Sequence, residues 1–417
     1  MYNILKGRLL FTRFCLAAAA LGLVAVGILT IYSVGHPAET TTATNTARLA
    51  GRWEKQLVFA AVAAAGFVVV NLLDYRRFGK AAYWIYALVL AMLVLLLVSR
   101  YLVPLPFARE INYTHRWIQL GAAGRSLFMV QPSELCKPAY IIALAWYLRY
   151  RSNYRSFKGL VGPFVLTLIP MVLILLEPDL GTVMLMMPVL ITMLFVAGAK
   201  VKHFLIIVLL ALMVSPLLWC KIRLNQRIRI SGVLLQNSWI RQKAEQHPAI
   251  GSILVGGKFS TRQWKNEWGY QMIRSKYAIA SGGVKGYGFR KGPFIKYNFL
   301  PERYNDFIFA TIAHQWGFLG CLVLLGLYVV IVACGVAISS HCTDPFGRLL
   351  AIGIVAMFVV QVIVNVGMTM GLMPVTGLTL PLVSYGGSSL LVNMVFIGLL
   401  NNIGRRRAFT VAPKPFE

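Results

Sequence analysis

An aspartate stands where a strongly basic, polar stretch of this chain gives way to an apolar one. Asn298-Phe299-Leu300-Pro301-Glu302-Arg303-Tyr304-Asn305-Asp306-Phe307 closes the region 221–306, which carries sixteen Lys and Arg against four Asp and Glu. A carboxylate at such a boundary is partly desolvated, and a raised pKa suits it to accept a proton as a general base. The same position also fits a helix N-cap or first-turn acid. The basic surface beside it suits an anionic substrate, and its place at the edge of an apolar run suits a substrate held in lipid. Glu302 and Arg303 are placed to pair locally, and His314 and Gln315, one to two turns on, to line the same cavity.

Other polar groups interrupt apolar sequence. In Gln131-Pro132-Ser133-Glu134-Leu135-Cys136-Lys137, Glu134 and Lys137 are three apart and share a helix face, either as a structural ion pair or as substrate contacts. In Glu177-Pro178-Asp179-Leu180-Gly181-Thr182, Pro178 fits a first helical turn and Asp179 a cap, which leaves Glu177 without a structural reason. Arg274-Ser275-Lys276 runs into the glycine-rich Gly282 to Gly288, a pattern that serves either an oxyanion or an ordinary turn. Gly371 to Ser389, with Gln361 and Asn365 before it, reads as broken backbone enclosed by protein, which suits an enzyme groove or a transporter site.

These groups must be positioned by a bundle of spans. Of the 417 residues 58% are hydrophobic. Apolar runs at 12–32, 57–73, 81–99, 127–148, 159–176, 180–198, 203–219, 307–338, 349–372 and 385–403 match the length that crosses a bilayer as helix. The expected fold is therefore an all-α polytopic membrane protein of about ten transmembrane helices. It forms one membrane domain, 1–417, with an extracytoplasmic basic loop, 221–306, between spans 7 and 8. With the N-terminus inside, inner segments carry seventeen Lys and Arg and short outer loops seven, so both termini are placed in the cytoplasm. The run from Phe307 is longer than a bilayer needs and should tilt or kink near Gly317 and Gly320.

The net charge of +28 is spread over short loops, which points to membrane lipids and topology rather than nucleic acid. No Walker pattern occurs, and the six cysteines lack metal-ligand spacing.

At these motifs the sequence resembles the SEDS family (shape, elongation, division and sporulation) of polytopic peptidoglycan glycosyltransferases. The likeness runs from Leu73-Asp74-Tyr75-Arg76-Arg77 through Arg116-Trp117-Ile118, Gln131 to Lys137, Glu177 to Thr182, Tyr270-Gln271, Asn298 to Phe309, and Pro374 to Ser389. The Asn-Phe-Leu-Pro-Glu-Arg form looks more like the RodA-type elongation members than the FtsW-type division members.

The resemblance implies polymerisation of lipid II on the outer face of the bacterial cytoplasmic membrane, with a class B penicillin-binding protein transpeptidase and the elongation machinery as partners. Asp306 matches the family's essential aspartate. Arg116, Glu134, Lys137, Glu177 and Asp179 match other retained positions, and Ser384 and Tyr385 the late signature. Arg116, Lys137, Arg274 and Lys276, in that order, are the cations expected to face pyrophosphate. No organic cofactor is implied, and magnesium or manganese could sit beside Asp306 without a fixed ligand cluster. Asn305, His314 and Gln315 depart from the family pattern, as does the long segment 229–268. A lipid II flippase and a noncatalytic scaffold that activates the transpeptidase are the competing expectations.

Overall fold

The computed structural model describes residues 9–38, 49–102, 116–120, 128–150, 157–202, 224–297 and 299–406, with single positions between 205 and 219. The fold is helical. In chain order the first elements are α1 (Leu10–Gly35), α2 (Arg52–Leu72), α3 (Tyr75–Lys80) and α4 (Ala82–Tyr101). A two-stranded antiparallel ribbon follows, β1 (Ile118–Leu120) and β2 (Phe128–Val130), with Ile118 opposite Val130. Next come α5 (Pro132–Leu148), α6 (Phe157–Leu176) and α7 (Leu180–Val196).

Seven helices among the described residues are long and apolar enough to cross a bilayer; α7 is apolar but shorter. The expected seventh span, 203–219, lies largely outside the described residues. The fourth expected run is shorter than its apolar stretch: 128–130 is strand, and Pro132 opens α5, where a missing N–H costs nothing.

The bundle is arranged as lipid solvent requires. Large apolar side chains such as Phe11, Phe14, Trp84, Leu88 and Val323 face outward, while Gln56, Glu134, Lys137, Asn365, Asn393 and Asn402 are buried within.

The region after 224 is not a loose lid. It folds into α8 (Leu224–Leu234), α9 (Ser238–Gln246), α10 (Pro248–Val255) and α11 (Tyr270–Gly282), closed by the short α12 (Pro293–Lys296). Leu235, Ala244, Val255, Phe259, Trp264 and Met272 give it a small core of its own.

The last three helices are α13 (Ile308–His341), α14 (Pro345–Thr369) and α15 (Gly387–Arg405). α13 breaks at Gly317 (φ 63°, ψ −160°), so of the expected tilt or kink it is the kink that forms, at the first of the two expected glycines. The 24 residues beyond the break cover about 36 Å at 1.5 Å each, enough for the hydrocarbon layer.

The break frees backbone groups, and the glycine-rich turn takes them up. Phe318 N–H donates to Gly283 O, and Leu319 N–H to Val284 O; Tyr287 and Gly288 donate to the carbonyls of His314 and Gln315. A Cβ on Gly286 would lie 2.2 Å from Gln315 O, so glycine is required for this approach. The amides of Gly286, Tyr287 and Gly288 are thus committed to carbonyls. The turn docks the 224–297 region onto α13, and these three N–H groups are not available to an oxyanion.

Candidate active site

Asp306 lies one residue before the N-cap of α13, which is Phe307, and so is neither the cap nor a first-turn acid. Its Oδ1 is buried with no hydrogen-bond partner among the described residues. The cap reading therefore fails, and a carboxylate without a structural partner remains.

The backbone around it is held from four directions. Thr311 Oγ1 donates to Arg303 O at 2.7 Å, Tyr385 N–H to Tyr304 O at 3.1 Å, Ser384 Oγ to Asn305 O at 2.8 Å and Asn365 Nδ2 to Asp306 O at 3.1 Å. Four successive carbonyls are gripped, whereas the carboxylate Oδ1 has no partner among the described residues. Arg303 does not pair with Glu302; its buried guanidinium donates to the carbonyls of Phe294, Ile295 and Tyr297 at the end of α12, a favourable place for a cation. Arg52 from α2 lies 3.8 Å over the Tyr304 ring and also faces the ring of Tyr385.

Burial pushes the Asp306 carboxyl up to about 7, helped by the charges of Glu302 and Asp179 and opposed by Arg229 and Arg116. Those influences place both guanidinium groups in the electrostatic neighbourhood of Asp306. Arg229, on α8, is exposed to solvent.

Asp179 caps α7, with Oδ1 accepting from Thr182 N–H and Oδ2 from Ser133 Oγ at 2.9 Å, Thr182 Oγ1 at 3.0 Å and Gln131 Nε2 at 3.4 Å. Pro178 precedes the cap rather than opening the helix. Glu177 differs. It is buried, both carboxyl oxygens lack hydrogen-bond partners among the described residues, and burial next to Asp179 pushes it up to about 9, with Arg116 and Arg100 opposing. It is a neutral acid at physiological pH. Arg116 donates to the carbonyls of Glu177 and Pro178, tying the segment before β1 to this turn. Lys137 Nζ meets Glu134 Oε1 at 2.6 Å, both buried in the first turns of α5.

Gly371 to Gly386 forms the facing wall. Gly377 (φ +77°) stands so close that its Cβ, had it one, would touch Asp306 Oδ2 at 3.4 Å. Leu380 N–H donates to Ser384 Oγ, and Gln56 bridges Ser384 O and Gly386 N–H.

One centre therefore joins Asp306, Arg116, Asp179, Glu177 and the Ser384–Tyr385 backbone. Arg274 and Lys276 are engaged elsewhere: Arg274 lies between the rings of Tyr270 and Phe299, and Lys276 binds Gln236 Oε1 at 3.1 Å. His314 and Gln315 are likewise engaged elsewhere. His314 Nδ1 shares a hydrogen bond with Ser281 Oγ, and its Nε2 accepts from Phe294 N–H, while Gln315 bridges Ser33 Oγ and Arg290 N–H. Both side chains thus tie α13 to the 281–294 segment and to α1. Arg229 and Arg52 carried no sequence signal beyond their charge. Asn365 carried one, a polar side chain inside an apolar run. No group of three or more His, Cys, Asp and Glu placed to hold a metal comes together among the described residues.

The family model for FtsW, RodA and SpoVE cell cycle proteins matches residues 13–408. This chain belongs to that family. Within the SEDS proteins, as the family is also known, it is 34% identical to the peptidoglycan glycosyltransferase RodA of Treponema pallidum over 94% of this chain and 98% of that one. It is 33% identical to stage V sporulation protein E of Bacillus subtilis over 84% and 86%. Among solved structures, a chain of a peptidoglycan synthase complex described for its coordination of polymerization and crosslinking aligns with TM-score 0.71, at 29% identity over 94% of this chain and 97% of its own. The rod shape determining protein RodA of Thermus thermophilus aligns with TM-score 0.61, at 27% identity over 94% and 95%. RodA is thus the SEDS branch that the likeness favours.

Proposed function

We propose that this SEDS protein, a peptidoglycan glycosyltransferase, polymerises glycan strands from lipid II with Asp306 as general base, in cell elongation. The observation that carries the reading is a carboxylate whose buried Oδ1 has no hydrogen-bond partner among the described residues, in the field of Arg229 and Arg116 and at the start of α13.

In this mechanism Asp306 accepts the proton of the C4 hydroxyl on the acceptor's terminal GlcNAc. That oxygen attacks the anomeric carbon of the donor MurNAc with inversion, and undecaprenyl pyrophosphate leaves. The leaving group is already activated, so the protein's share is alignment and neutralisation of developing charge. Arg116 and Arg229 are the cations nearest in effect to Asp306 and supply that field. Glu177, neutral at physiological pH, can donate a hydrogen bond without adding repulsion to an anionic leaving group.

The distribution of Lys and Arg supports cytoplasmic termini and an extracytoplasmic site in a bacterial inner membrane. The likeness to a chain of a synthase complex supports a class B penicillin-binding protein as partner.

The test is polymerisation of labelled lipid II by the purified protein, with and without its cognate transpeptidase. Asp306→Asn is expected to fold, bind the partner and make no glycan. A wild-type rate in that variant removes Asp306 as the base. Lipid II translocated across reconstituted vesicles with no glycan formed would mark a flippase instead.

A further inference from the structure

No hydrogen bond orients Asp306 through its buried Oδ1, which has no partner among the described residues. Its direction must come from the backbone that carries it, and the group on its carbonyl is the amide of Asn365. That amide also donates to Leu378 O at 2.5 Å. Both partners are carbonyl acceptors, so the nitrogen must face them and the amide cannot be turned over. Leu378 adjoins Gly377, whose Cα faces Asp306 Oδ2. One side chain therefore fixes the carboxylate and the wall beside it relative to each other.

Burying that amide is costly. Asn365 is fully buried in the apolar helix α14, and its Oδ1 has no partner among the described residues. A leucine or valine there would fill the space with no polar group to satisfy. Gln361, one turn earlier on α14, makes a comparable bond to Thr379 O at 2.9 Å, but its partner lies outside the turn that carries Asp306.

We infer that Asn365 is a positioning residue for glycosyl transfer, locking the Asp306 turn to the Gly377–Leu378 backbone. The inference rests on Asp306 being the base. Asn365 is fully buried, and it acts through the main chain of Asp306.

The experiment measures lipid II polymerisation by the full-length protein with its transpeptidase partner across pH. It compares wild type, Asn365→Ala, Asn365→Ser, Gln361→Ala and Asp306→Asn, with thermal stability and partner binding recorded for each. A misplaced catalytic group lowers turnover more than substrate affinity, so Asn365→Ala is expected to lower kcat by about 10- to 100-fold with KM within about twofold. Its acid limb should move down by about one pH unit as water reaches the loosened carboxylate. Asn365→Ser, which can satisfy one carbonyl, should fall between, and it decides the matter if the alanine variant does not survive extraction. Gln361→Ala should lose thermal stability without moving the acid limb. Asn365 variants with kcat within twofold of wild type, or with losses that match Gln361→Ala and an unmoved limb, overturn the inference while an inactive Asp306→Asn leaves the base in place. An active Asp306→Asn overturns the base itself, and the inference with it.

Discussion

The hydroxyl of Ser384 donates to the backbone carbonyl of Asn305 at 2.8 Å, joining the last connection of the chain to the residue before Asp306. The same oxygen accepts from Leu380 N–H, so Ser384 is used twice within the protein. Ser384→Ala is expected to lower polymerisation about 10-fold while partner binding persists, because the turn loses one of its four holds. An unchanged rate would mean that the remaining three suffice.

Asp306 should impose an acid limb near pH 7 on turnover. Only the ionised carboxylate accepts a proton, and burial has pushed it up to about 7, so the rate should rise with pH through that region. A rate independent of pH between 5.5 and 8 would contradict the assignment.

The same shift predicts a stability signature. Because the folded protein holds the Asp306 proton more tightly than the unfolded chain, the contribution is fully present below the ordinary carboxylate value of 3.8 and is lost as the pH rises through about 7. Asp306→Asn removes the ionisation. It should be more stable than wild type at pH 8, by up to about 4 kcal/mol at 1.36 kcal/mol per unit, and the gap should close near pH 4. Thermal melts of both proteins across pH measure this; a constant gap would rule out a buried, ionisable Asp306.

Lys137 and Glu134 form a buried pair at 2.6 Å. Lys137→Met leaves a buried carboxylate unpaired and is expected to cost about 3–5 kcal/mol, whereas combining Lys137→Met with Glu134→Gln should recover most of that loss. A double variant as unstable as the single one would show that Lys137 stabilises the fold by something other than this pair.

Gly286→Ala tests how the outer region is held. The added methyl would sit 2.2 Å from Gln315 O at a backbone φ of +75°, so the 283–290 turn must lift from the break in α13. Trypsin should then cut at Lys285, Arg290 or Lys291 much faster than in wild type. Equal cleavage would mean that the turn tolerates the methyl in place.

Some of this was legible before any coordinates. The bundle of spans follows from apolar runs that have no other use in water, the break in α13 from a run too long for one bilayer, and the Asp179 cap from its place before Leu180. The Lys137 pair follows from spacing on one helix face. Cations were harder: Arg274 and Lys276 are the ones expected from the 221–306 stretch, yet they are engaged with Tyr270, Phe299 and Gln236, while Arg229, which the sequence does not single out, acts on Asp306. Charge is a property of a residue, whereas its neighbours depend on how α8 and α11 are placed.

The sequence by itself determined that Asp306 stands at a polar–apolar boundary in a basic region, because hydropathy and charge are local and additive along a chain. Only the tertiary structure decided that Asp306 lies before the N-cap of α13, that His314 and Gln315 tie α13 to Phe294 and Ser33, and that Asn365 and Ser384 hold the turn from 59 and 79 residues away. Hydrogen bonds between distant segments depend on directions and distances of about 3 Å, and those exist only once helices have packed.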